Sequence, residues 1–290
     1  MGRLIVNADD FGLTPGVNRA IVELYHAGVL TSTTLMAKAS ATEEAIALAL
    51  KHPGLGVGCH VVLVDGEPVL SGVRDIPNVA DPADGRFERT LLPFLHTIYT
   101  RGWGRKVDSQ IEIEAHAQIQ SLQSRGLRLT HIDTHKHTHM FPAVLRPLLH
   151  AAKSCGVSAV RNPFEPALIT ALGPADLGVQ KRRLQMRVLN AYAPGFRAEV
   201  TAQGMRTTDG TLGVLVTGVL DLNLFLQIVS HMPEGTWEFV CHPGYNDSDL
   251  GRVKTRLRES RQQELAVLTS PEARRALQER GVQLISYHEL

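Results

Sequence analysis

Cysteine is scarce in this chain. Only Cys59, Cys155 and Cys241 carry a thiol among 290 residues, too few and too scattered for a disulfide framework. A reduced, cytoplasmic setting fits them. Aromatic residues are thin as well, with two tryptophans and five tyrosines. No long apolar run is present. The longest, residues 212–229, is interrupted by Thr217, Asp221, Asn223 and Gln227, and reads as strand, turn and helix rather than a membrane span. The N-terminus passes straight into Leu4-Ile5-Val6, without the basic start and apolar stretch of a signal peptide. Nor is there a surplus of one charge: the formal net charge of +1 argues against a nucleic-acid surface. These absences describe a soluble protein with no transmembrane segment, with peripheral membrane contact left open.

What is plentiful is histidine. Thirteen residues point towards metal or proton chemistry. The hydrophobic fraction of 43% and charged fraction of 20% are those of an ordinary globular domain. Single α/β barrels typically run to about 250 residues, so one domain over 1–290 is the better expectation.

Short β-like runs alternate with helical patterns, as in a parallel α/β sheet or barrel. Strands are expected at 3–8, 30–36, 55–63, 129–135, 157–162, 236–241 and 283–287. Helices are expected at 15–27, 41–51, 108–125, 143–154, 221–231, 252–268 and 271–280. In the third, Ile111, Ala115, Ile119 and Leu122 recur at helical spacing and form one apolar face. Two long insertions interrupt the alternation. Residues 66–106 carry Phe87, Phe94, Tyr99 and Trp103; residues 163–210 carry Pro163, Pro166, Pro174 and Pro194 around Lys181-Arg182-Arg183. Such insertions on barrel loops usually shape a substrate site. The basic run itself reads as a solvated helix face.

Polar clusters fall where expected strands end, the end at which α/β barrels concentrate function. Asp9-Asp10 follows the first strand directly. Adjacent carboxylates also occur at helix starts, but here they repel unless a cation or donor compensates them. His60 ends a glycine-rich strand, where a lone histidine would ordinarily be a satisfied core residue. His131, Asp133, His135, His137 and His139 alternate and would face one way in an extended strand. If that strand ends near His135, His137 and His139 fall in the following loop. Asp133, His137 and His139 are the candidate substrate contacts, with packing as the alternative for both histidines. Asp10, His60 and His135 supply a carboxylate and two imidazoles, a facial set for one divalent ion. Asp9 is placed to take a proton from water, and His242 to give one to a leaving amine. Arg161 is expected to pair with Asp9 and hold it ionised, or to be a surface arginine at a strand end. Cys59 and Cys241 each precede a histidine, and so should pack on the opposite face.

These residues resemble the ordered motifs of the YdjC/ChbG carbohydrate deacetylases. The match comprises Asn7-Ala8-Asp9-Asp10-Phe11-Gly12, Thr31-Ser32-Thr33-Thr34, Gly58-Cys59-His60, the 130–139 run and Cys241-His242-Pro243. The resemblance implies a distorted, TIM-like (β/α) barrel and one Mg or Zn ion on Asp10, His60 and His135. It also implies hydrolysis of a sugar N-acetyl group with Asp9 as base, and a homodimer. His135-Lys136-His137, Asp84-Gly85-Arg86-Phe87 and the stretch from Gly58 to Leu70 are similar to the hopanoid-biosynthesis-associated HpnK branch, whose implied substrate is an N-acetylated glycolipid. The chitooligosaccharide branch more often has an unbroken histidine triplet where Lys136 stands. Two other classes remain open: a metal phosphoesterase or amidohydrolase, and a non-catalytic metal-dependent sugar-binding protein. Amidohydrolases usually carry a His-x-His pair on the first strand, which here ends in Asp-Asp.

Overall fold

In a computed structural model of the chain, the described residues are 2–70, 75–81, 83–100, 105–170, 172 and 177–290. Trp103 and Pro174 lie outside them. The strands are β1 (Arg3–Phe11), β2 (Ser32–Leu35), β3 (Gly56–Val61), β4 (Ile132–Thr134), β5 (Gly210–Leu212), β6 (Thr236–Cys241) and β7 (Gln283–Leu284). All pair in parallel, in the order β4-β3-β2-β1-β6-β5, with β7 against Arg3 and Leu4 of β1. The first helices are α1 (Pro15–His26), α2 (Thr42–Lys51), α3 (Leu91–Thr100), α4 (Arg105–Gln123), α5 (Pro142–Ser154) and α6 (Ala167–Thr170). They are followed by α7 (Leu177–Leu189), α8 (Ala193–Ala202), α9 (Leu222–His231), α10 (Ser248–Arg252), α11 (Glu259–Thr269) and α12 (Pro271–Glu279). The fold class is therefore the expected α/β one, a curled sheet of parallel strands flanked by helices.

The expected strand 157–162 is not a strand. It is an extended segment joined to its neighbours only at Ile132–Val160 and Ala159–Arg206. Pro163 has no N–H with which to prolong the pairing. Contact with β5 continues only through the Phe164 carbonyl, which accepts the Thr211 N–H at 3.0 Å, and that of Asn162, which accepts the Thr211 hydroxyl. These narrow bridges carry the sheet from β4 round towards β5, so the ring is a distorted barrel. β1 lies between β2 and β6 in the interior of the strand order, buried on both faces from Leu4 to Phe11, which explains its unbroken apolar start.

Helix starts follow local chemistry. Thr14 caps α1 by accepting from the Val17 N–H (3.2 Å), with Pro15 at the first helical position. Asp221 caps α9 through the Leu224 N–H (2.8 Å). On α4 the predicted apolar stripe is buried, and a polar stripe lies beside it. Gln118 accepts from Val62 N–H, Glu114 from Val69 N–H and Gln110 from Asn78 N–H, each within 2.9 Å. Those side chains tie down the loop that leaves β3. The second insertion forms α6, α7 and α8. Its basic run is not wholly solvated: Arg182 donates to the Leu215 and Thr217 carbonyls and Arg183 to that of Leu172. Among the described residues, no helix is long and apolar enough to cross a membrane.

Candidate active site

In a regular strand, Asp9 and Asp10 would point to opposite faces. They do not here, because the β1–β2 register shifts between Ala8 and Phe11 and Asp10 adopts a left-handed φ of 67°. This bulge turns both carboxylates into the barrel mouth, and a left-handed non-glycine residue is a strain that proteins retain at functional positions.

Three donor atoms converge beside the bulge. Asp10 Oδ1 lies 3.5 Å from His60 Nε2 and 3.5 Å from His135 Nδ1, and the two nitrogens are 3.3 Å apart. Asp10 Oδ1 is buried without a hydrogen-bond partner. Atoms this close are spaced as neighbouring ligands around one ion at metal–ligand distances of about 2.0–2.2 Å. His60 Nδ1 meets Asp133 Oδ1 at 2.8 Å. If that nitrogen carries the proton, Nε2 turns a lone pair towards Asp10, the arrangement by which carboxylates orient histidine ligands. The residues present therefore fit a divalent ion.

Behind this triangle stands Arg161, fully buried. Its Nη2 and Nη1 reach the two Asp9 oxygens at 2.6 and 2.9 Å. Its Nε and Nη2 meet Glu238 Oε1 at 2.9 and 2.7 Å, and Nη1 also contacts Asp133. Burial would raise the Asp9 pKa, but Arg161 foremost, then His60 and His242, hold it well below the usual carboxylate range. Asp10 is held low in the same way, burial being outweighed by Arg261 and the histidines. Asp9, Asp133 and Glu238 surround the Arg161 guanidinium, and Asp10 pairs with that of Arg261.

The histidine run divides. Strand β4 stops at Thr134, and Lys136 and His137 adopt φ of 55° and 52° in the turn that follows. His131 stacks on Tyr287, with ring centroids 3.6 Å apart, and its Nε2 meets Asn7 Oδ1 at 3.2 Å. His139 is fully buried against Thr134. Burial foremost pushes the pKa of both well down, with the Arg161 charge next for His131 and His137 next for His139, so they stay neutral. His137 remains half-exposed at the mouth. Arg161 pairs with Asp9, as expected. Asp133 and His139 are fully buried, so His139 takes the packing alternative and Asp133 meets His60 and Arg161. Strand β6 adjoins β1, and His242 Nε2 flanks Asp9 Oδ2 at 3.7 Å. Cys59 and Cys241 are buried thiols, as expected.

The model of the YdjC-like proteins matches residues 3–279. The chain belongs to the YdjC-like family. Curated relatives include a carbohydrate deacetylase of Brevibacillus brevis, 34% identical with 99% of each chain covered. Another, from Geobacillus stearothermophilus, is also 34% identical, covering 98% of this chain and 96% of its own. A crystal structure from Enterococcus faecalis, of a protein named for a proposed role in cellobiose-phosphate cleavage, superposes with a TM-score of 0.78. It is 27% identical and covers 99% of this chain and 98% of its own.

Sequence reasoning missed several residues of this YdjC-like site. Thr34 bridges Asp9, His60 and Asp133 through one hydroxyl, at 3.2–3.3 Å. Glu238 and Tyr287 back Arg161, the tyrosine hydroxyl donating to Glu238 Oε2 at 2.6 Å. Arg261 holds the second Asp10 oxygen. Its signal was available: on α11, Arg261 and Glu264 share a stripe with Leu265 and Leu268, and charged residues seldom occupy a buried helix face without a partner.

Proposed function

We propose that this YdjC-like protein is a metal-dependent carbohydrate N-deacetylase, a hydrolase that frees acetate from an N-acetylglucosamine-type sugar. One observation carries the reading: Asp10 Oδ1, His60 Nε2 and His135 Nδ1 converge within 3.5 Å, beside a second carboxylate already held ionised. The names of the curated relatives support a sugar substrate. A divalent ion, magnesium or zinc, would be held by those three residues and would supply Lewis acidity for an amide carbonyl and its attacking water.

The chain's own groups do the rest. Asp9, fixed by Arg161, accepts the proton of the attacking water. His242, 3.7 Å from Asp9, gives a proton to the departing nitrogen, which would otherwise leave as a very poor amide anion. The attacking oxygen bonds to the carbon that already carries the leaving nitrogen, and the C–N bond then breaks as the nitrogen is protonated, so an acid and a base side by side serve both. His137, half-exposed at the mouth, contacts the sugar.

An acceptor with an apolar tail, such as a hopanoid-linked glycolipid, is the second reading. Leu92 on α3 is 78% exposed and Leu184 and Val188 on α7 are each 64% exposed, on the insertions that leave the site end of the barrel. Acetate release across N-acetylated sugars, from free oligosaccharides to glycolipids, with and without divalent ions, tests both. The expected result is ion-dependent release from at least one member. Failure on every member with the ion present would overturn the proposal.

A further inference from the structure

We infer that α11 is the positioning element of this site, with Arg261 setting the carboxylate of Asp10 and Glu264 setting the strand end that bears His242. The inference rests on the metal-centre reading and names what holds that centre in place.

Arg261 and Glu264 lie one helical turn apart, each only 2% exposed. Arg261 Nη2 donates to Asp10 Oδ2, and its Nε donates to the Leu257 carbonyl at 3.3 Å. With Oδ2 engaged, rotation of the Asp10 carboxylate is blocked and Oδ1 stays turned towards His60 and His135. Asp10 needs such a tether because its backbone is left-handed, while Asp9 is held by a different guanidinium, that of Arg161. Glu264 Oε2 accepts the His242 N–H at 2.6 Å, and Oε1 accepts that of Gly218 at 3.4 Å. The loop after His242 then lies directly on the helix. The Gly244 N–H donates to the Arg261 carbonyl at 3.3 Å, and a side chain at 244 would stand 3.1 Å from both Arg261 Cδ and Val17 Cγ2. A Cβ there would crowd both side chains, so glycine lets the loop sit close to the helix. Buried charges on a helix are costly unless paired. Here Arg261 is paired with the Asp10 carboxylate, and Glu264 accepts the backbone N–H groups of His242 and Gly218.

Arg261 and Glu264 are positioning residues, since each acts through another side chain or backbone. Their roles separate in measurement. Arg261→Gln is expected to weaken divalent-ion binding about 10–100-fold, the usual cost of losing a partner that orients a metal ligand. Arg261→Lys, which keeps the charge without the planar fork, should recover part of that loss. Glu264→Gln should leave ion affinity within about two-fold of the parent and lower kcat with little change in KM. The experiment is a chelator-competition titration of zinc on the full chain and both sets of variants, with circular dichroism as the check on folding. Parent-like zinc affinity in folded Arg261→Gln, or in Arg261→Lys if the glutamine variant does not fold, would overturn the inference while leaving the metal centre standing. Loss of zinc binding in Glu264→Gln would overturn the division of roles. Absence of zinc binding by the parent would overturn the metal-centre reading, and the inference with it.

Discussion

His60 is buried between Asp133 and the two aspartates of β1, and its pKa is raised to about 9: burial opposes the charge, but Asp133 first, then Asp9 and Asp10, outweighs it. Without an ion, His60 therefore holds a proton that folding favours. That contribution is fully present below the ordinary histidine value of 6.5 and is lost as pH rises through about 9. An ion must displace this proton. Divalent affinity is expected to climb about tenfold per pH unit between pH 6.5 and 9 and then level off. Asp133→Asn should flatten that slope; a slope equal to the parent's would remove Asp133 from the pairing. The partner of Asp9 is tested separately. A general acid contributes about 10²–10⁴-fold in rate, so His242→Ala should lose about that much on an amide while keeping the ion. On an aryl acetate, whose leaving group needs no proton, the loss should be much smaller. Equal losses on both substrates would move the acid role to His137.

Strand β3 explains a pattern that composition alone leaves puzzling. Its glycines make room for neighbours, and at Gly58 a Cβ would stand 2.6–2.8 Å from three atoms of the His131 ring. That ring cannot step aside, because Tyr287 is stacked on its other face. Gly58→Ala is expected to cost about 1–3 kcal/mol by overpacking, read by urea denaturation. A change below about 0.5 kcal/mol would show that the stack gives way. Strand ends were the legible part of the site, since an apolar run giving way to Asp9-Asp10, His60 or His242 marks the barrel mouth from sequence. The histidine run was legible only as far as His135. Beyond it, two consecutive left-handed residues at Lys136 and His137 break the alternation, and neither residue type announces that geometry. The bulge at Asp10 was equally hidden, because its cause lies in the pairing of β1 with β2.

At the scale of the whole chain, parallel strands alternating with helices could be read from hydrophobic periodicity. The helices of the insertions could not, because α7 carries exposed Leu184 and Val188 among charges and shows no apolar stripe to read. Partners distant in sequence were also out of reach: Arg161 joins Asp9, Asp133 and Glu238 from three strands, and only the curl of the sheet brings them together. An ion on the proposed ligands Asp10, His60 and His135 would brace β1, β3 and the turn after β4. An ion at 100 times its Kd would add about 2.7 kcal/mol, or roughly 5–10 °C in Tm for a chain of this size. Chelator should therefore lower Tm by that amount in the parent and leave His60→Ala unmoved; an equal drop in both would point to an ion bound elsewhere. The division of labour between neighbouring aspartates is tested most directly by measuring bound ion and acetate release on the same preparations of Asp9→Asn and Asp10→Ala. The predicted result is a full complement of ion with turnover down about 10²–10⁴-fold in Asp9→Asn, and loss of the ion in Asp10→Ala. An ion lost from Asp9→Asn but kept by Asp10→Ala would contradict it.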